Sequence, residues 1–267
     1  MAVARAIFKG AGDATMTQVF RTAADEDLTE SAAIAQAARV LMAGGLALIP
    51  TETVYGLAVA VSAFTEASPA DGVAETEAPK VNGCPVPAEG TGYRRIFDLK
   101  QRELTQTVPW LVDGADALER YGHDVDPGAR ALARAFWPGA LTLIVPARDD
   151  VPAFMRAADG TVALRSSASP VVAALIEACG SPLACTSANT HGAPAPASFS
   201  AVEQRILDGV DIAIDAGATP CQDASTIVSF PGGEPQIIRQ GALSAADIKR
   251  VLEGSCGPER ATSLRKW

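Results

Sequence analysis

Apolar positions along this chain follow two rhythms, one helical and one extended, in alternation. Ile34, Ala38 and Leu41 fall on one helical face; Asp27 and Glu30 stand ahead of them at capping-box spacing, and Gly44 and Gly45 stop the run. Leu46 to Ile49 follows at once as a continuous apolar run of strand length. Pro50 removes a ladder donor and ends it, and Gly56 lets the backbone turn or approach a ligand before the second apolar run begins at Leu57. Between the two runs lie Thr51, Glu52, Thr53 and Tyr55, a polar insert that a buried strand would deliver into a pocket. On local chemistry alone, hydroxyls that merely cap a helix explain the same residues equally well.

The alternation continues downstream. Asp126 and Pro127 open a helix that runs toward Phe136 and is stopped by Pro138 and Gly139, and Leu141 to Val145 reads as a buried strand. Thr161 to Arg165 is a short strand ending in a charge, which is costly to bury without an anion beside it. A helix from Ser169 and Pro170 to Gly180 leads into a strand at 182–185 and the turn Thr186, Ser187, Ala188, Asn189. Ser200 and Glu203 have capping-box spacing before Ile206, and 211–215 reads as an edge-like strand. Two strands, 224–228 and 237–242, flank a Pro-Gly-Gly turn, and Ser244 caps a last helix. Residues 1–26 show no period beyond a short strand near 6–8 and read as an N-terminal extension. Residues 27–254 read as one domain and 255–267 as a polar tail. The stretch 62–91 is rich in Pro, Gly, Ala and acids and reads as a loop insertion, with an active-site lid as the alternative.

Composition narrows the chemistry. A formal net charge of -9 over 267 residues argues against a broad basic face for nucleic acid, since such binding needs Lys and Arg to displace counterions from phosphates. Five cysteines without a C-x-x-C pair, and two histidines, suggest neither a disulfide framework nor a zinc site. Reduced thiols, and the lack of a membrane-length apolar window, lead to the expectation of a soluble cytoplasmic protein with no membrane partner.

Seven segments in order carry a resemblance to a known family. PTETVYGL (Pro50 to Leu57), the Lys100-x-Arg102 pair, WPGALTLI (Trp137 to Ile144), VALR (Val162 to Arg165) and TSAN (Thr186 to Asn189), with STIV and IIRQGA near the end, resemble the YrdC-like family of threonylcarbamoyl-AMP synthases. The resemblance implies an α/β fold, a single YrdC-like domain on a twisted mixed sheet with a concave ligand face. It implies a nucleotidyltransferase that joins L-threonine, bicarbonate or carbon dioxide, and ATP into threonylcarbamoyl-AMP and pyrophosphate, for tRNA threonylcarbamoyladenosine modification. By the same resemblance, Lys100 and Arg102 are the catalytic cations on the triphosphate. Thr161, Ser187, Asn189, Ser225 and Arg239 complete the ATP site, and Thr51, Thr53 and Arg165 hold L-threonine. Magnesium is expected with ATP and no metal is expected on protein ligands. A downstream tRNA-modifying transferase complex is the expected partner, and direct tRNA binding stays open. Gln101 and Glu103 depart from the family's Gly and Pro, and Leu111 falls near a family histidine. Another carbamoyl-adenylate enzyme and a non-catalytic RNA-binding module are the alternatives.

Overall fold

The computed structural model describes residues 5–6, 17–22, 28, 31–65 and 79–255. In chain order its elements are β1 (Arg5–Ala6), β2 (Gln18–Arg21), α1 (Ala32–Met42), β3 (Ala47–Pro50), β4 (Tyr55–Ala60), β5 (Lys80–Val81), β6 (Cys84–Pro85) and α2 (Gly92–Lys100). They continue as β7 (Trp110–Leu111), α3 (Ala117–Tyr121), α4 (Pro127–Phe136), β8 (Leu141–Pro146), β9 (Thr161–Arg165), α5 (Pro170–Cys179) and β10 (Leu183–Ser187). The last are α6 (Gln204–Asp208), β11 (Ile212–Asp215), β12 (Thr226–Ser229), β13 (Gln236–Arg239) and α7 (Ala245–Ser255). Eleven strands form one mixed sheet in the order β1-β2-β11-β3-β4-β10-β7-β9-β8-β12-β13. The pairs β2–β11, β11–β3, β7–β9 and β8–β12 are parallel, and the others are antiparallel.

Strand alternation sends side chains to two faces, and the faces are covered unequally. On one face Leu141, Leu143, Val145, Val162 and Leu164 join a large core with Tyr93, Ile96 and Phe97 of α2 and Leu132 of α4. On the other, α1 and α5 pack on each other and on β3, burying Ile34, Leu41, Ile49, Val172 and Leu175. Among the described residues neither helix packs extensively on β8, β12 or β13, and Ile144, Ala163 and Ile227, which alternate away from the large core, are only partly buried.

Local chemistry explains several boundaries. Asp126 caps α4 by accepting from Gly128 N at 2.7 Å, with Pro127 in the first turn, and Ser244 caps α7 by accepting from Asp247 N at 3.1 Å. The Asp27–Glu30 capping box lies outside the described residues. The Ser200–Glu203 box does not form: Glu203 instead accepts from Thr190 N and Oγ1, at 3.1 and 3.0 Å. The expected edge strand at 211–215 is interior, parallel to both β2 and β3, with Ile212, Ala213 and Ile214 fully buried. Three consecutive apolar residues are what a strand covered on both faces requires. Residues 18–21, inside the expected extension, supply its neighbour β2.

The 62–91 segment is also part of the fold at both ends. Val61–Phe64 is a 3-10 turn with Phe64 buried, and β5 and β6 form a hairpin around Asn82 and Gly83, both at positive φ, as a two-residue hairpin turn demands. Asn82 donates to the carbonyls of Ala153 and Arg156, and Val81 and Val86 are buried. Residues 66–78 lie outside the described part.

Candidate active site

The site begins at the β3–β4 connection. Thr51 does not point outward but winds the turn on itself: its hydroxyl accepts from Val54 N at 3.1 Å, donates to Val54 O at 2.7 Å, and lies 2.8 Å from Thr53 Oγ1. Thr219 Oγ1 donates to Thr53 O, and Cys221 N to Glu52 O, so the turn is pinned from a second segment. Thr53 Oγ1 accepts from Arg165 Nη2 at 2.9 Å. The same nitrogen forms an ion pair with Glu52 Oε1 at 2.6 Å, and Arg165 Nε donates to Gly139 O at 3.1 Å. The anion that a buried Arg165 requires is present within the chain itself as Glu52, which also accepts from Ser167 Oγ. Burial pushes the Glu52 carboxyl up, but the charge of Arg165 and the hydrogen bonds from Ser167 and Arg165 outweigh it and hold the group below its ordinary value.

A second group forms where α2 ends against β10. Lys100, the last helical residue, is almost fully buried and donates to Ser187 O at 2.6 Å and Asn189 O at 2.9 Å. Burial first, and then the neighbouring charge of Arg102, lower its pKa to about 8. Arg102 binds Gln106 Oε1 through Nε at 2.7 Å and reaches Thr186 Oγ1 at 3.4 Å. Asn189 spends its amide nitrogen on the carbonyls of Thr190 and Ala193, which fixes the turn after β10.

The third group is at the far strands. Arg239 donates through Nη2 to Ser225 O at 2.8 Å and Ser225 Oγ at 3.1 Å, and Ser225 Oγ lies 2.9 Å from Thr142 Oγ1. Burial and the charge of Arg165 lower the pKa of Arg239, so the third group feels the first. Cys185, wholly buried with its thiol pushed up to about 12 by burial, feels both Arg165 and Lys100 and so ties the first group to the second. Thr161 stands apart. It alternates to the same face as Arg165 but at the other end of β9, about 13 Å along the strand at 3.3 Å per residue, and its hydroxyl donates to Asp159 Oδ1.

The predicted residues therefore lie along one band of the sheet, in three hydrogen-bonded groups with Thr161 at a distance. Glu52, Ser167 and Thr142 are additions that spacing could not reveal; Glu52 alone carried a signal, as the acid inside the PTETVYGL motif. A cleft of about 770 Å³ between α3 and α5 shares only the 166–169 wall with this band and holds none of the predicted side chains.

A relative from Mycobacterium tuberculosis (strain CDC 1551 / Oshkosh) is 32% identical over 237 residues, spanning 89% of this chain and 96% of its own. Residues 86–241 match the family model Sua5/YciO/YrdC, described as telomere recombination. The chain belongs to the Sua5/YciO/YrdC family. A Sua5/YciO/YrdC relative from Xanthomonas campestris pv. campestris (strain B100), named threonylcarbamoyl-AMP synthase, is 32% identical over 203 residues, 73% of this chain and 92% of its own. The structure of Pyrococcus abyssi Sua5 complexed with L-threonine superposes with a TM-score of 0.71 at 27% identity. It covers 87% of this chain, which in turn spans 60% of that longer protein. The α/β fold with its mixed sheet is therefore that of the family. Among the described residues no helix is long and apolar enough to cross a membrane.

Proposed function

We infer that this chain is an L-threonylcarbamoyladenylate synthase. The observation that carries the reading is the band itself: in a member of this family, Arg165, Ser225, Thr142 and Arg239 gather from β9, the lead-in to β12, β8 and β13 next to the β3–β4 turn, and Lys100 at the end of α2 reaches the end of β10. The reaction would run in two steps. The threonine amine adds to carbon dioxide and loses a proton, giving a carbamate; a carbamate oxygen then attacks the α-phosphorus of ATP, and the bond to the β-phosphate oxygen breaks to release pyrophosphate. Such chemistry depends on positioning and charge neutralisation more than on a nucleophilic side chain.

Lys100 and Arg102 are proposed to face the triphosphate, with Ser187, Asn189, Ser225 and Arg239 completing the nucleotide site. Thr161, at the far end of the same strand face, suits the distal part of an extended nucleotide. Arg165 and Thr53 are proposed to receive threonine; Thr51, occupied within its own turn, shapes the site rather than touching the ligand. Among the described residues no three His, Cys, Asp or Glu side chains converge on a metal position. Magnesium is proposed as part of the ATP substrate, carried by phosphate oxygens and water. The product would pass to a tRNA-modifying transferase.

The test is pyrophosphate release and mass-spectrometric product identification with ATP, bicarbonate and each proteinogenic amino acid. Threonine should be used and valine rejected, because the isostere would leave buried polar groups unpaired. Lys100→Ala should cut turnover by roughly a hundredfold. Equal use of valine would remove the threonine assignment.

A further inference from the structure

Glu52 has no part in the reaction just described, yet it is the one buried carboxylate among the described residues. It is 8% exposed; Oε2 accepts from Ser167 Oγ, and Oε1 forms an ion pair with Arg165 Nη2 at 2.6 Å without a hydrogen bond of its own. Its main chain is held by Cys221 N, and the turn that carries it is closed by Thr51. The Arg165 guanidinium is correspondingly fixed on two of its three nitrogens: Nη2 to Glu52 and Thr53, Nε to Gly139 O. Nη1 has no partner among the described residues.

Two consequences follow from the chemistry. A guanidinium is planar, so holding Nε and Nη2 sets the direction of Nη1. A buried arginine without a counterion would carry a large desolvation cost, and the nearby charge of Arg239 would add repulsion; Glu52 offsets both.

We propose that Glu52 is a positioning residue for carboxylate recognition: it fixes the Arg165 plane so that Nη1 is the donor left for the carboxylate of the amino-acid substrate. Through Ser167 the same carboxylate ties this donor to the segment that opens α5, where Ser169 Oγ donates to Pro50 O. The proposal rests on the synthase reading and goes beyond it by assigning to an acid, rather than to a further cation or hydroxyl, control of how tightly an anion is held.

The test compares L-threonine with L-threonine amide, which lacks the carboxylate, in wild type, Glu52→Gln, Glu52→Asp and Ser167→Ala, following kcat and KM for both amino compounds and KM for ATP. Wild type should prefer threonine over its amide, and in Glu52→Gln that preference in kcat/KM should fall at least about tenfold while KM for ATP changes little. Glu52→Asp, which keeps the charge, should recover part of the preference, and Ser167→Ala should lose less than Glu52→Gln. A purely structural role would lower thermal stability and all kinetic constants together without moving the ratio. An unchanged ratio in folded Glu52→Gln, or tighter threonine binding there, overturns the proposal while leaving the synthase reading intact. If Glu52→Gln does not fold, an unchanged ratio in Glu52→Asp with Ser167→Ala also at wild-type preference overturns it equally. A wild type that makes no product from threonine overturns the underlying reading instead.

Discussion

Lys100 donates from Nζ to the main-chain oxygen of Asn189 at 2.9 Å, so the end of α2 and the turn after β10 are joined by a lysine that is itself nearly out of water. Its pKa of about 8 makes its charge sensitive to mild alkali. If Lys100 faces the triphosphate, kcat/KM for ATP, which reports ionisations of the free enzyme, should fall as pH rises above about 8. The effect on stability has the opposite sign. The folded-state value lies below the ordinary lysine value of 10.5, so between the two the unfolded chain binds the extra proton and stability rises with pH. Below about 8 both states are charged and the fold bears the full cost of the buried charge. Denaturation midpoints of wild type and Lys100→Met, measured from pH 7 to 10.5, should converge in wild type's favour across that window; parallel curves would contradict it.

Gln101, next to Lys100, is the left-handed cap of α2 at φ 52°, and its backbone N–H bonds back to Asp98 O. A side chain in that conformation costs about 1 kcal/mol relative to glycine, the residue that suits this position. Gln101→Gly should therefore raise unfolding stability by about 1 kcal/mol. Chemical denaturation measures it, and a loss of stability would mean that the Gln101 side chain contributes more than its backbone strain costs.

How much of this was legible in the sequence follows from the range of each interaction. The β3 strand and α4 with its Asp126 cap are local and were read directly. β7 is two residues long and gives no periodic signal; it exists because β10 and β9 pair with it from either side. The edge reading of 211–215 came from its flanking aspartates, whereas position was decided by β2, a four-residue strand in a stretch without clear period. In the hairpin at 80–85 the Asn-Gly signal was present but was outweighed by the acidic, proline-rich composition around it. The partner of Arg165 was the main miss. The strand pattern showed that a buried charge needed an anion, but Glu52 lies 113 positions away and no spacing rule connects them.

Gly56 sits opposite Ser187 in the β4–β10 pairing, and a methyl group there would fall inside van der Waals contact of Cys185 Sγ and 3.3 Å from Thr186 O. The sheet cannot give way locally, because β4 is also paired with β3. Gly56→Ala should destabilise the protein by about 1–3 kcal/mol, the usual cost of overpacking. Cys185→Ala removes the sulfur and should restore part of that loss, which a double-mutant cycle would read as a coupling between the two positions. Purely additive effects would show that the backbone at Thr186, not the thiol, limits the space.

The acidic segment 62–91 joins the core at both of its ends. Phe64, Val81 and Val86 are buried in the core shared with Tyr93 and Phe154, and Asn82 anchors the hairpin tip to Ala153 and Arg156. Residues 66–78 contain few large apolar side chains to offset the entropy of ordering them. Replacing 66–78 by a short Gly-Ser linker should therefore leave the thermal midpoint within a few degrees, since loop-closure entropy changes slowly with length. Replacing the whole of 62–91 should lower stability by several kcal/mol, because three core side chains leave with it and each large-to-small loss costs about 2–5 kcal/mol. Thermal unfolding and pyrophosphate release measured on both variants distinguish the roles. Retained folding with lost turnover in the 66–78 variant would identify that stretch as an active-site cover; equal stability of the two variants would show that the hairpin adds nothing to the core.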